Sequence, residues 1–159
     1  MLFFIVMNTI KIDPNNLSAR RCQTDDLLFV HDLLKKNMAE TMFRNRGEEW
    51  NSDLFWEKTK PGSIIIVEYQ DRPIAFFDAF KEGDFLHLLN INVAEEFQNQ
   101  GIGRYMLALV EGKAREMELM KIILEVFPDN PSRYLYTRYG FNKVGMRDGC
   151  WVMEKTIDY

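Results

Sequence analysis

The change of pattern between residues 86 and 117 constrains this chain most. The apolar run Leu86 to Val93 reads as a strand. It is followed by Gln98-Asn99-Gln100-Gly101-Ile102-Gly103-Arg104 and then by Ile102, Met106, Val110, Ala114 and Met117 at helical spacing. A strand that ends in a glycine-bearing loop and turns straight into a helix aims several backbone N–H groups at one spot. That spot is the positive end of a helix dipole and suits a phosphate or pyrophosphate. The loop is not the dinucleotide fingerprint, since it has two glycines and the third position is the bulky Met106. Nor is it a P-loop, because no Gly-Lys-Ser/Thr follows. Alone, the string fits equally well a tight turn whose glycines serve geometry only.

The flanking patterns fix the architecture around it. Ser18 to Gln23 reads as a strand, and Thr24-Asp25-Asp26 opens a helix with the stripe Leu27, Val30, His31, Leu34 and Met38. His31, on that stripe, reads as a packed or rim histidine. Met42 to Trp50 reads as a polar-aromatic connection, and Ser52-Asp53 caps a short second helix. Ser63–Tyr69, Ile74–Phe80 and Phe85–Val93 are separated by short turns and form an antiparallel meander. A helix, the strand Lys121–Phe127, the helix Ser132–Tyr139 and two more strands follow. This order predicts an α/β fold with a mixed, mostly antiparallel central sheet and flanking helices, in one domain over 1–159. The strands near Val93 and Glu125 are expected to be parallel neighbours joined by a right-handed crossover.

Composition excludes several classes of function. The formal net charge is −4 and no dense run of Lys or Arg occurs, which argues against nonspecific nucleic-acid binding. Cys22 and Cys150 have no CxxC spacing and only two histidines are present, so neither a zinc site nor a disulfide framework is expected and a reducing cytoplasm is the default. The apolar Met1 to Met7 is too short to span a bilayer, with no basic segment before it and no small-residue cleavage site after it. It reads as an extra edge strand, or as the product of an upstream start with Met7 as the true beginning.

A second motif gives the loop its meaning. Asn130-Pro131-Ser132-Arg133-Tyr134-Leu135-Tyr136-Thr137-Arg138-Tyr139-Gly140-Phe141 lies one helix and one strand downstream. The two motifs, in this order, resemble the signatures of the GCN5-related N-acetyltransferase (GNAT) family. The likeness is to the branch that includes ribosomal-protein alanine N-acetyltransferases and small-amine acetyltransferases. It runs from about Leu86 to the C-terminus and more loosely back to Ala19. The resemblance implies that the two central strands splay apart at their C-terminal ends, and that acetyl-CoA is the cosubstrate, without a metal. Ile91, Asn92 and Val93 would pair with the pantetheine arm. Gln98, Asn99, Gln100, Gly101, Ile102, Gly103 and Arg104 would hold the pyrophosphate. Asn130 would contact coenzyme A, while also serving as a helix cap. A monomer or homodimer is expected, with no nucleic-acid or membrane partner.

Acetyl transfer to an amine sets three tasks: the amine must lose a proton, the carbonyl must be polarised, and the departing thiolate should be protonated. No Ser/His/Asp or Cys/His constellation is apparent in the sequence, which fits direct attack. Tyr136 holds the family position that protonates the sulfur. Glu125 is the only carboxylate in an otherwise apolar strand; it reads as buried on both faces, so that desolvation would raise its pKa towards that of a base. The resembled branch uses a glutamate there as base; the alternatives are a structural salt bridge for Glu125 and an ordered water as the base. Cys150 reads as a buried small side chain. By the family's plan the acceptor pocket would draw on Phe43, Arg44, Trp50, Phe55, Trp56, Arg147, Asp148 and Trp151, with Glu48, Glu49 and Asp78 supplying acidity; Phe55 and Trp56 read equally well as core residues. The acceptor is expected to be a small amine; the alternatives are a peptide N-terminus and, with no catalysis, an acyl-CoA-binding regulatory module.

Overall fold

A computed structural model describes residues 9–159; the expectation for Met1 to Met7 lies outside them. The strands are β1 (Leu17–Arg21), β2 (Ile64–Tyr69), β3 (Arg72–Glu82), β4 (Phe85–Val93), β5 (Lys121–Val126), β6 (Asn142–Arg147) and β7 (Cys150–Thr156). The helices are α1 (Leu27–Arg46), α2 (Ser52–Lys58), α3 (Ile102–Glu116) and α4 (Ser132–Tyr139). The strands form one sheet in the order β1-β2-β3-β4-β5-β7-β6, antiparallel throughout except for the β4–β5 pair.

Successive side chains of a strand face opposite sides of the sheet, and β3 shows what covers each side. Phe76 packs with Val30, Leu33, Phe55, Ile64 and Ile66 under α1 and α2. Phe77, its neighbour, packs with Leu86, Leu88, Met106, Val110, Ile122 and Phe141 under α3 and α4. The run Ile74 to Ala79 is therefore buried on both faces, and burying each Phe stabilises by about 1.5–3 kcal/mol. On α3, Ile102, Met106, Val110 and Ala114 make the buried stripe that the helical spacing predicts.

Two boundaries differ from the sequence reading. The first helix does not stop near Met38: it continues through Met42 to Arg46, so much of the expected connection is helical. Met38 and Met42 sit at i, i+4 and extend the same face, and Gly47 ends the helix in the left-handed region (φ 66°) with its N–H on the Phe43 carbonyl at 2.8 Å. The cap of α2 is Asn51, whose side chain accepts from the Leu54 N–H at 3.0 Å.

Candidate active site

The site begins where β4 and β5 separate. Phe85 to Leu88 pair in parallel with Lys121 to Leu124, and the pairing stops there. Beyond it, Glu125 and Val126 pair only with Val152 and Trp151 of β7. Across the gap, Asn90 to Val93 pair only with β3, and Leu89 is the extra residue of a bulge opposite Asp78 and Ala79. The Lys113 ammonium donates to the Ala79 carbonyl at 2.6 Å beside this irregularity. Parting leaves the Leu89–Val93 edge of β4 free of β5, so an extended amide-bearing arm can add there like a strand.

The glycine loop closes one end of the gap. Asn99 (φ 61°) and Gly101 (φ 84°) are both left-handed. The first bond within α3 runs from the Tyr105 N–H to the Gly101 carbonyl at 3.0 Å. The N–H groups of Ile102, Gly103 and Arg104 therefore have no partner within the helix and stand at its positive end. Gly103 serves a second need: a Cβ there would lie 2.7 Å from Leu135 Cδ2, so the Leu135 side chain of α4 would have to move to admit one.

The gap opens into a cleft of about 980 Å³. Of the sequence-predicted residues, Ile91, Asn92, Val93, Gln98, Asn99, Gly101, Ile102, Gly103, Arg104, Glu125, Asn130 and Tyr136 line it. Gln100 does not. Its side chain faces away, accepting from the Ile12 N–H at 2.9 Å and donating to the Ile10 carbonyl at 2.6 Å, and so ties down the chain before β1. Gln98 donates to the Val93 carbonyl at 3.0 Å, and Asn37 of α1 donates to Asn92 Oδ1 at 3.2 Å and to the Val93 carbonyl at 3.3 Å, which fixes the end of β4. Asn130 Oδ1 accepts from the Ser132 N–H at 3.0 Å and shapes the start of α4.

Tyr136 is 6% exposed, and its ring meets Phe141 edge-on at 5.9 Å. Burial alone pushes its phenol well above the ordinary tyrosine value, with no charge or hydrogen bond contributing. It therefore holds its proton at neutral pH. Glu125 departs from the expectation. Burial alternates along β5, and Glu125 lies on the open side, its side chain 30% exposed and 3.4 Å from the Arg147 guanidinium. The two-sided burial expected from the sequence is absent: along β5 only the face towards α3 is fully covered.

The cleft's other wall also departs from the expectation. None of Phe43, Arg44, Trp50, Phe55, Trp56, Arg147, Asp148 and Trp151 lines it, and neither do Glu48, Glu49 and Asp78. Trp50, Phe55 and Trp56 instead close around His31, which is 8% exposed and held by Ser52 at 2.8 Å and Asp32 at 2.9 Å. Asp78 is buried and accepts from the Ser63 hydroxyl at 2.5 Å. The wall is made by Met38, Met42 and Arg46 of α1, with Phe127 and Cys150. Arg46 lies 5.0 Å from the Phe127 ring centre and 3.3 Å from the Asp148 carbonyl, while Arg44 and Asn45 bind the Asp129 carboxylate at 2.5 and 2.9 Å. Burial pushes the Cys150 thiol up, as befits packing rather than attack. Sequence reasoning missed Asn37, Met42, Arg46, His87 and Arg138 as lining residues; for the α1 residues the continued Met38–Met42 spacing was the available signal.

The free edge, the left-handed loop and the helix end fit coenzyme A: an amide-bearing arm against Leu89 to Val93 and a pyrophosphate at Gly101 to Arg104. Residues 30–141 match the model of the acetyltransferase (GNAT) family, so the chain belongs to that family. That family is one of acetyltransferases. Over 60 residues it is 33% identical to [ribosomal protein bS18]-alanine N-acetyltransferase of Haemophilus influenzae, a stretch that covers 38% of this chain and 41% of that relative's length. The PaiA N-acetyltransferase of Thermoplasma acidophilum, solved with coenzyme A, superposes with TM-score 0.75 at 17% identity, over 88% of this chain and 98% of that one. The ribosomal-protein-S18-alanine N-acetyltransferase of Escherichia coli does so with TM-score 0.70 at 20% identity, over 90% and 95%. Among the described residues no cluster of three or more His, Cys, Asp or Glu is placed to hold a metal ion, and no helix is long and apolar enough to cross a membrane.

Proposed function

We propose that the protein moves the acetyl group of acetyl-CoA to a primary amine by direct attack, with a small amine as acceptor. The observation that carries this reading is that β4 and β5 part immediately before Glu125, in a cleft that Tyr136 also lines. Leu89 to Val93 would hold the pantetheine arm, and Gly101 to Arg104 the pyrophosphate. Glu125 would receive the amine and take its proton, directly or through a water. Tyr136 would give its proton to the sulfur as the C–S bond breaks. Contacts at the end of α1 support a small acceptor: it is tied to the β5–α4 loop through Arg44, Asn45 and Asp129, and to the β6–β7 turn through Arg46. An extended peptide would have to pass or open these contacts. The second reading, a peptide N-terminus, is favoured by the likeness to the H. influenzae and E. coli enzymes.

A panel of aliphatic amines set against N-terminal alanine peptides separates the two readings, the first predicting faster transfer to amines. A folded Glu125→Gln variant should lose at least about tenfold in turnover with an alkylamine while still binding acetyl-CoA. With an acceptor already deprotonated at neutral pH, much of the rate should return. Equal impairment with both acceptors would make Glu125 a structural or positioning group.

A further inference from the structure

The cleft wall on the α1 side carries a cation that the chemistry above leaves idle. Met38, Met42 and Arg46 follow one another at i, i+4 and i+8 along α1, and all three line the cleft. Three contacts hold the Arg46 guanidinium in place: the Phe127 ring centre at 5.0 Å, the Asp148 carbonyl at 3.3 Å and Cys150 Sγ at 3.8 Å. None of these is a carboxylate. Arg44, two residues earlier, binds the Asp129 carboxylate at 2.5 Å, whereas among the described residues no carboxylate pairs with Arg46. Both of its polar contacts use Nη2, which leaves Nε and Nη1 without a partner among the described residues.

Glu125 stands near this cation on the same face of the sheet. It lies opposite Val152, and Cys150 is two residues before Val152, so Glu125 and Cys150 point to the same side. Such diagonal neighbours stand roughly 7–8 Å apart. The Cys150 thiol, in contact with Arg46, feels both charges: Arg46 acts to lower its pKa and Glu125 to raise it. The other charges at this end are Arg147, 3.4 Å from Glu125 Oε1, and Asp148 of the β6–β7 turn. Glu125 Oε2 has no partner among the described residues. An ammonium arriving at Oε2 therefore meets one carboxylate and two guanidinium groups, and a carboxylate carried by the same molecule would offset the repulsion.

We propose that the acceptor is a free α-amino acid with an apolar side chain, its amine at Glu125 and its carboxylate at Arg46. This rests on the acetyl-transfer reading and names the acceptor within it. The planar guanidinium suits a carboxylate, and the contacts with Phe127, Asp148 and Cys150 hold it ready. Met38 and Met42, unbranched and adaptable, would take the side chain. An alkylamine leaves Arg46 idle, and a peptide N-terminus brings an amide where the carboxylate belongs.

The test measures kcat/KM for leucine, leucinamide and 3-methylbutylamine, each referred to the unprotonated fraction of the amine. These share one carbon skeleton and differ in carrying a carboxylate, an amide or neither. The wild type should prefer leucine to both others by at least about tenfold, as expected for a hydrogen bond between charged groups. Arg46→Met should abolish that preference, chiefly by raising KM for leucine, and Arg46→Lys should keep part of it. Should Arg46→Met fail to fold, the wild-type comparison decides. Equal rates with the three acceptors, a preference for leucine that survives Arg46→Met, or acetylation of other amines but none of these overturns the role of Arg46 alone. Absence of acetyl transfer by the wild type to any amine removes both readings.

Discussion

Replacing Gly101 with Val should weaken acetyl-CoA binding at least about 100-fold, a change of roughly 2.7 kcal/mol, while leaving the protein folded. Gly101 sits at φ 84°, and a left-handed backbone costs an L-residue about 1–2 kcal/mol. A Cβ added there meets no protein atom within 4 Å, so the strain is conformational and the core is spared. What suffers is the loop: a valine either twists it out of the left-handed turn or stands where a ligand must approach the N–H groups of Ile102 to Arg104. Gly112, inside α3, also has open space around its Cβ and has no left-handed backbone, so Gly112→Ala should bind normally. Unchanged affinity in a folded Gly101→Val protein, measured by calorimetry, would place the cofactor site elsewhere.

Tyr136→Phe should lower turnover roughly 10–1000-fold with almost no change in acetyl-CoA affinity. The ring that packs against Phe141 remains, and only the hydroxyl is lost. Burial holds the phenol above its ordinary pKa, so the group stays protonated and able to donate across the neutral range. The raised pKa also links to stability. The stabilisation associated with the neutral phenol is full below the unfolded tyrosine's pKa near 10 and declines as pH rises through the higher folded value. The Phe variant should lack this contribution to alkaline unfolding. Wild-type turnover in Tyr136→Phe would return the residue to a packing role.

The parts legible in the sequence were those set by backbone periodicity and local turn chemistry. Alternating strands, the stripe on α3 and the two motifs led to the mixed sheet, to the β4–β5 pairing and to most of the cleft lining. Facing was harder to read. An apolar strand such as Ile122–Val126 looks buried on both sides, yet burial alternates along it, with Ile122, Leu124 and Val126 under α3 and Ile123 and Glu125 half-buried on the other face. The aromatic residues Trp50, Phe55 and Trp56 fit a pocket wall by sequence, and Phe55 and Trp56 fit a core equally well; all three pack against His31, a long-range choice that no local pattern reveals. Gln100 sits inside the glycine motif while its amide serves Ile10 and Ile12. Arg46 reaches the cleft only because α1 runs two turns further than its clearest stripe.

Acetyl transfer itself is tested most directly by incubating the protein with acetyl-CoA and the amine panel, and following both products by mass spectrometry. Direct transfer requires free coenzyme A and an N-acetylated amine to appear in equal amounts, with the protein itself remaining unacetylated during turnover. Coenzyme A released without any acetylated amine, or tight binding of acetyl-CoA with neither product, would contradict it.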